Sequence, residues 1–245
     1  MNGYLGNDIY GSGWGKKWDF IIVHESGHEW FGNNITTTDI ADMWVHEGFT
    51  TYSEVLFTEC EYSKNAGYEY ARGLAKNTDN DKPVIGIYGV NEEGSTDMYS
   101  KGAAMIHHIR NLVNDDEKFR QMLRKLSSTY FHKNVTTNEV ENFIVKETGL
   151  QLNLFFDQYL RTKNIPVVEY YYKKGSRQLA SRLVNAVAGL KLPIAIDANK
   201  NKRRMLKITS NWKTVTLTKD EMKAWNTDAI ESKYLVTLQQ VNNRK

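Results

Sequence analysis

This sequence of 245 residues contains one cysteine, Cys60, and three prolines. A single cysteine excludes an internal disulfide bond and indicates no particular compartment. No segment approaches the roughly 18 consecutive apolar residues that a membrane-spanning helix needs. The excess of positive charge is a formal +3, which is too small to indicate a nucleic acid or an anionic membrane surface as the partner.

The remaining composition is that of a folded globular protein, with 40% hydrophobic and 25% charged residues. This length is enough for one large domain or two modest ones. The first fifteen residues include five glycines and lack the basic and apolar regions of a signal peptide. This glycine-rich stretch runs directly into an apolar segment, so we expect the chain to begin within a larger architecture.

Helical patterns dominate the first two thirds of the chain. Residues 18–31 are apolar on nearly all sides, which predicts a buried helix. Residues 67–96 are rich in Gly, Asn and Asp, which predicts mostly loop with some local helix. Thr136 and Glu139 form a capping box that begins a helix, and Gly149 ends it. The other predicted helices cover residues 43–61, 97–113, 116–130 and 152–161.

From Pro166 onward the pattern changes to alternating apolar and polar residues separated by Gly, Asn and Lys turns. A period of two residues is typical of strands with one buried face. The sequence therefore predicts an α+β protein, with a mostly helical region over residues 1–165 and a small antiparallel β domain over residues 166–245.

The segment from His24 to His28 reads His-Glu-Ser-Gly-His, an H-E-x-x-H motif. On a helix, residues four apart lie on one face, so both imidazoles can reach a single Zn²⁺ ion. Glu25 projects beside that ion, where a carboxylate can act as the general base towards the attacking water. The alternative is a buried helix with two hydrogen-bonded histidines, but burying these three side chains without a metal requires many polar partners.

A catalytic zinc ion needs a third protein ligand. The metzincin pattern requires Gly at position 31 and His at position 34, which are Phe31 and Asn34 in this chain, so that class is excluded. The other common choice is a glutamate from the next helix. Glu47 is the candidate, and the eighteen residues between His28 and Glu47 leave room for a turn and a second helix that packs against the first.

Together these motifs resemble the aminopeptidase N-like gluzincins. The resemblance is carried by H-E-x-x-H followed after eighteen residues by Glu-Gly-Phe, and it runs from about Gly13 to Pro166. Residues 28–33 match the H-x-W-F-G-N of that family, and residues 99–103 match its Y-x-K-G-A element. The resemblance implies a thermolysin-like catalytic subdomain, represented here by its helical half, followed by a small β-sandwich.

The resemblance also implies roles for particular residues. Glu47 would be the third zinc ligand beside His24 and His28, and the Tyr99 hydroxyl would stabilise the oxyanion. Glu54 would brace a zinc-bound histidine. Without the resemblance, Tyr99 reads as a buried core tyrosine and Glu54 as a solvated helix carboxylate.

This chain departs from the family pattern in two places. Many members have Asn before the metal-binding glutamate, where this chain has His46, which we expect to be a neighbour of the site and not a ligand. The family also has a Gly-x-Met-Glu-Asn strand upstream, whose glutamate binds the α-amine of the substrate. The 23 residues before His24 do not contain that motif, and they are too few for the N-terminal β domain of the family, which the helical region would contact.

The sequence thus predicts a zinc metallopeptidase acting on peptide substrates, and the resemblance implies an aminopeptidase. The alternative is a catalytically incompetent zinc-binding fragment or interaction scaffold. Endopeptidase activity is a third reading, because loss of the amine anchor could relax the requirement for a free N-terminus.

Overall fold

The computed structural model describes residues 6–199 and 202–242, and they divide between Lys163 and Asn164 into two compact units. The sequence places its domain boundary at residues 165 and 166. We propose that the two units correspond to the helical region and the β domain that the sequence indicates.

Helices form most of the first unit. They are α1 (Phe20–Gly27), α2 (Trp44–Glu61), α3 (Lys64–Lys76), α4 (Asp97–Val113), α5 (Asp116–Thr129), α6 (Thr137–Thr148) and α7 (Asn153–Leu160). Two short strands, β1 (Ile35–Thr37) and β2 (Lys133–Val135), pair in parallel with Ile35 opposite Lys133.

Local signals set several of these helix boundaries. Before α6, Thr136 accepts from the backbone N–H of Glu139, and the Glu139 carboxylate accepts from the N–H of Thr136, so the predicted capping box is present. Gly149 ends α6 with φ of 74°, a left-handed conformation that glycine adopts without a steric penalty.

The local helix expected within residues 67–96 is α3, which begins earlier, at Lys64, and is capped by Ser63 Oγ, which accepts from the N–H of Ala66. The expectation for the first helix is wrong. Helix α1 is shorter than predicted, and only His24 and Gly27 are buried within it. Its apolar residues are not enclosed on all sides because α1 lies at the surface of this unit.

The most extensive contact between helices in the first unit lies between α2 and α4, where two glycines face each other. A Cβ atom on Gly48 would lie 3.2 Å from the Cα of Gly102, and one on Gly102 would lie 3.0 Å from the Cα of Gly48. The absence of side chains therefore lets the two backbones approach. This contact brings the first turn of α2, with Glu47, beside the first turn of α4, with Tyr99.

The second unit contains a four-stranded sheet and a separate two-stranded pair. Its elements are β3 (Val167–Tyr172), β4 (Gln178–Val184), β5 (Leu192–Asn199), β6 (Lys202–Ile208), β7 (Lys213–Thr216), α8 (Lys219–Ala224), α9 (Thr227–Glu231) and β8 (Thr237–Gln240). The order in the larger sheet is β7-β4-β3-β8, and β5 pairs antiparallel with β6. The β3–β8 pair is parallel, which differs from the purely antiparallel prediction.

Helices in the first unit are followed by strands in the second, so the predicted α+β class is confirmed. Across residues 6–199 and 202–242, every helix is too short or too polar to cross a bilayer.

Candidate metal centre

Three side chains at α1 and α2 converge within the first unit. Helix α1 carries His24 and is followed directly by His28, and Glu47 lies in the first turn of α2. Glu47 Oε2 lies 3.2 Å from His24 Nε2 and 3.4 Å from His28 Nε2. One donor atom from each of the three side chains falls within 4.8 Å of the others, so the group could hold a metal ion.

The opposite nitrogens of both rings are occupied by hydrogen bonds. His28 Nδ1 donates to the Phe31 carbonyl at 2.9 Å, and His24 Nδ1 lies 2.8 Å from Glu54 Oε1. A neutral imidazole carries one proton, and with that proton on Nδ1 the Nε2 lone pair is free to coordinate. The protein therefore orients both Nε2 atoms towards Glu47.

Two nitrogen lone pairs beside one carboxylate oxygen repel each other unless a cation lies between them. The burial of His24 disfavours a charge on its ring, but its hydrogen bonds to Glu47 and Glu54 outweigh this and raise the pKa of His24 to about 9. Glu47 and Glu54 thus favour a positive charge at the His24 ring. Two imidazole nitrogens and one carboxylate are a ligand set that catalytic zinc sites use.

Glu54 is fully buried and bridges His24 to helix α3. Its Oε2 accepts from the Tyr70 hydroxyl at 2.5 Å, while Oε1 faces His24 Nδ1. The reading of Glu54 as a solvated carboxylate is therefore wrong. The position fits the prediction that Glu54 braces a histidine, because a carboxylate on Nδ1 fixes the ring orientation.

Tyr99 lies in the first turn of α4, half-buried beside the metal group. Its ring centroid is 5.8 Å from that of His24. Burial and the nearby charges of Glu47, Glu93 and Glu25 raise the pKa of Tyr99 to about 12, so the phenol stays protonated as a hydrogen-bond donor. Glu25 is exposed on α1, and its effect on Tyr99 places its carboxylate near the same space.

The sequence did not single out Tyr70 or Tyr10. Tyr70 lies on α3, within the segment predicted as mostly loop with some local helix, and Tyr10 lies in the glycine-rich N-terminal segment. The two rings meet edge to face with centroids 5.8 Å apart, and the Tyr10 carbonyl accepts from Asn77 Nδ2 at 2.7 Å. Burial and then the charge of Glu54 raise the pKa of Tyr10. No local pattern marks either residue, because their partners are distant in the sequence.

His46 lies beside the metal group and is hydrogen-bonded to a backbone amide. Its Nε2 accepts from the N–H of Thr37 at 2.9 Å. Burial lowers the pKa of His46, against the opposing charge of Glu47. The Nε2 lone pair of His46 is therefore directed at β1.

Comparison with known proteins gives one family and several relatives. A family model described as "Peptidase family M1 domain" matches residues 14–159. "Aminopeptidase N" from Lactococcus lactis subsp. lactis is 25% identical over 162 residues, which are 60% of this chain and 19% of that protein.

Two solved structures share the fold. Legionella pneumophila aminopeptidase A in complex with aspartic acid superposes with a TM-score of 0.64 at 16% identity, over 91% of this chain and 27% of that one. An M1 zinc metallopeptidase mutant from Deinococcus radiodurans, bound to a Tyr-Ser-Ala substrate, gives a TM-score of 0.51 at 24% identity, over 60% of this chain and 33% of that one. The chain thus spans between about a fifth and a third of the length of these proteins.

Proposed function

Because the chain belongs to peptidase family M1, we propose that it is a zinc-dependent peptidase in which His24, His28 and Glu47 hold the metal ion. One observation carries the proposal. Both histidines direct Nε2 towards Glu47 Oε2 while their Nδ1 atoms are held by Glu54 and by the Phe31 carbonyl. Such an arrangement presents two lone pairs and a carboxylate to one point, which suits a tetrahedral zinc site with one open position.

The residues around this point have distinct roles in peptide hydrolysis. A bound zinc ion would polarise the scissile carbonyl and lower the pKa of the attacking water. Glu25 takes the proton from that water and later delivers a proton to the leaving amine. Tyr99 donates its hydroxyl proton in a hydrogen bond to the carbonyl oxygen as negative charge develops there. The raised pKa of Tyr99 keeps that donor protonated at neutral pH.

We further propose that the substrates are peptides with a free N-terminus. Relatives named as aminopeptidases support this specificity.

The test is hydrolysis of fluorogenic aminoacyl amides by the zinc-loaded protein, beside the same amides with an acetylated amine. We expect cleavage of the free-amine substrates only. Glu25→Gln should lose roughly 10²- to 10⁴-fold in kcat, the usual contribution of a general base, and should still bind one zinc ion. Near-native rates in Glu25→Gln would contradict the assigned base, and cleavage of the acetylated amides would contradict the aminopeptidase specificity.

A second candidate function is a zinc-binding scaffold without catalysis. Two large apolar side chains next to the metal group favour it, since Ile22 on α1 is 64% exposed and Trp30 just after α1 is 55% exposed. Exposed apolar side chains that form a contiguous patch mark a surface that contacts another domain or protein, so the scaffold function predicts that these two side chains belong to such a patch. Binding of one zinc ion per chain without hydrolysis of any of these amides would support the scaffold and contradict the peptidase.

A further inference from the structure

His46 connects the start of α2 to strand β1. Its Nε2 accepts a hydrogen bond from the N–H of Thr37 at 2.9 Å, so the neutral ring carries its proton on Nδ1. His46 immediately precedes Glu47, and Thr37 lies nine residues after His28. The bond therefore joins the middle of the connection between the proposed metal ligands to its end, next to Glu47.

The segment from His28 to Thr37 is fixed by hydrogen bonds of its own. His28 Nδ1 donates to the Phe31 carbonyl at 2.9 Å, and the N–H of Gly32 donates to the Ile35 carbonyl at 2.8 Å. Strand β1 then pairs with β2 in register, and the N–H of residue 38 donates to the carbonyl of residue 135 at 2.9 Å. These hydrogen bonds fix the backbone around Thr37, so they also fix the position of the Thr37 N–H relative to His28.

The first turn of α2 has no capping side chain of its own. The residue before the helix, Met43, makes no side-chain hydrogen bond to the first turn, although capping side chains commonly stabilise this position. Two side chains of the first turn instead bind to the surrounding structure. Trp44 Nε1 donates to Thr137 Oγ1 at 2.7 Å, and His46 accepts from Thr37.

We infer that His46 is a positioning residue, which holds Glu47 in place relative to His28 by tying the first turn of α2 to β1. This inference rests on the proposed zinc site. His46 acts through the backbone of the following residue and does not contact the metal. A glutamate that approaches both histidines through a single oxygen tolerates little displacement, since ligand distances in zinc sites vary by only about 0.2 Å.

Substitutions of His46 that place an acceptor atom at different distances from the backbone test this role. Glutamine places an acceptor oxygen about as far from the backbone as the histidine Nε2, asparagine places it one bond nearer, and leucine has no acceptor. We expect His46→Leu and His46→Asn to bind Zn²⁺ about ten-fold more weakly than the wild type, the lower range for residues that support metal ligands. We expect His46→Gln to bind within about two-fold of the wild type, because the hydrogen bond is restored.

The measurement is the Kd of the metal-free protein for Zn²⁺ in competition with a chromophoric chelator, with thermal unfolding of the metal-free variants recorded in parallel. Thr37→Ala is the matched control, because it keeps the backbone N–H and should bind zinc like the wild type. The comparison of His46→Gln with His46→Asn remains decisive if His46→Leu does not fold.

Four outcomes decide the inference. Restored affinity in His46→Gln alone supports it. Equal affinity in all His46 variants and the wild type overturns it while leaving the proposed function intact, and equal weakening in the Gln and Asn variants overturns it as well, since the acceptor would not matter. A wild-type protein that binds no zinc would overturn both this inference and the proposed function.

Discussion

Replacing the Glu54 carboxylate with an amide tests whether Glu54 supports His24, because the three proposed metal ligands stay unchanged. Glu54→Gln keeps the side-chain volume, and its amide oxygen can still accept the hydrogen bond from His24 Nδ1. The negative charge is lost, and hydrogen bonds to ionised groups are about twice as strong as neutral ones. The imidazole is then held less firmly, so we expect weaker zinc binding.

The structure sets the size of the effect. Replacing a residue that orients a metal-bound histidine typically lowers metal affinity by roughly 10- to 100-fold. We expect Glu54→Gln to lie near ten-fold, or ~1.4 kcal/mol, because an acceptor remains. We expect Glu54→Ala to lie near 100-fold, because both His24 Nδ1 and the Tyr70 hydroxyl then lose their partner at a fully buried position.

The assay is competition between the metal-free protein and a chromophoric chelator for Zn²⁺, with urea unfolding to show that each variant is folded. Glu29→Gln is the control, because Glu29 is an exposed carboxylate just after α1 whose partner is Asn33 Nδ2 at 3.1 Å. That variant should match the wild type. Equal zinc affinity in Glu54→Gln, Glu54→Ala and the wild type would refute the reasoning, since the bond to Nδ1 would then not hold the ring.

Three further predictions concern residues on α3 and α4. Tyr99→Phe should lower kcat by roughly 10²- to 10³-fold with unchanged zinc stoichiometry, and an unchanged kcat would exclude the hydroxyl from catalysis. Tyr70→Phe should destabilise the metal-free protein by about 1–3 kcal/mol in urea unfolding, because Glu54 Oε2 loses its donor. Tyr68→Phe on the same helix loses a hydrogen bond to a neutral amide and should cost about 1 kcal/mol, and equal costs would count against a special role for Glu54. Burial lowers the pKa of Lys101 from its ordinary 10.5 to about 8, so between these values the unfolded chain binds more protons and stability rises with pH. The wild type should therefore gain on the order of 3 kcal/mol relative to Lys101→Met from pH 8 to pH 10.5, and parallel unfolding curves at both pH values would contradict this.

Features that depend on neighbouring residues were predictable from the sequence. The spacing of His24 and His28 puts both rings on one side of α1 because four residues make about one helical turn. The bounds of α4 and α6 agree with the prediction because an apolar stripe and a capping box are local signals. The motif spacing likewise identified Glu47 as a candidate, and the structure places it beside both histidines.

Features that depend on distant contacts were not predictable. The sequence indicated local helix after residue 67 but not the bounds of α3, because Gly67 and Gly73 disfavour an isolated helix. In the folded protein, Gly67 packs against Val55 and Glu59 of α2, where a Cβ atom would lie 2.8 Å from the Glu59 Cβ. The parallel pairing of β3 with β8 also depends on a distant contact. Period-two patterning shows which face of a strand is buried but does not show which strand is its neighbour.

The sequence by itself determined which side chains could bind zinc and which glutamate follows the first histidine, because these depend on residue type and on the repeat of one helix. Tertiary structure alone decided how the rings are oriented. Glu54, Tyr70 and the Phe31 carbonyl set the nitrogen that each ring directs towards Glu47, and His46 attaches the first turn of α2 to β1. Apart from the local bond between His28 and the Phe31 carbonyl, these hydrogen bonds join groups on different elements, so they form only when the elements pack. The order of residues in the sequence does not show which distant groups come within hydrogen-bonding distance.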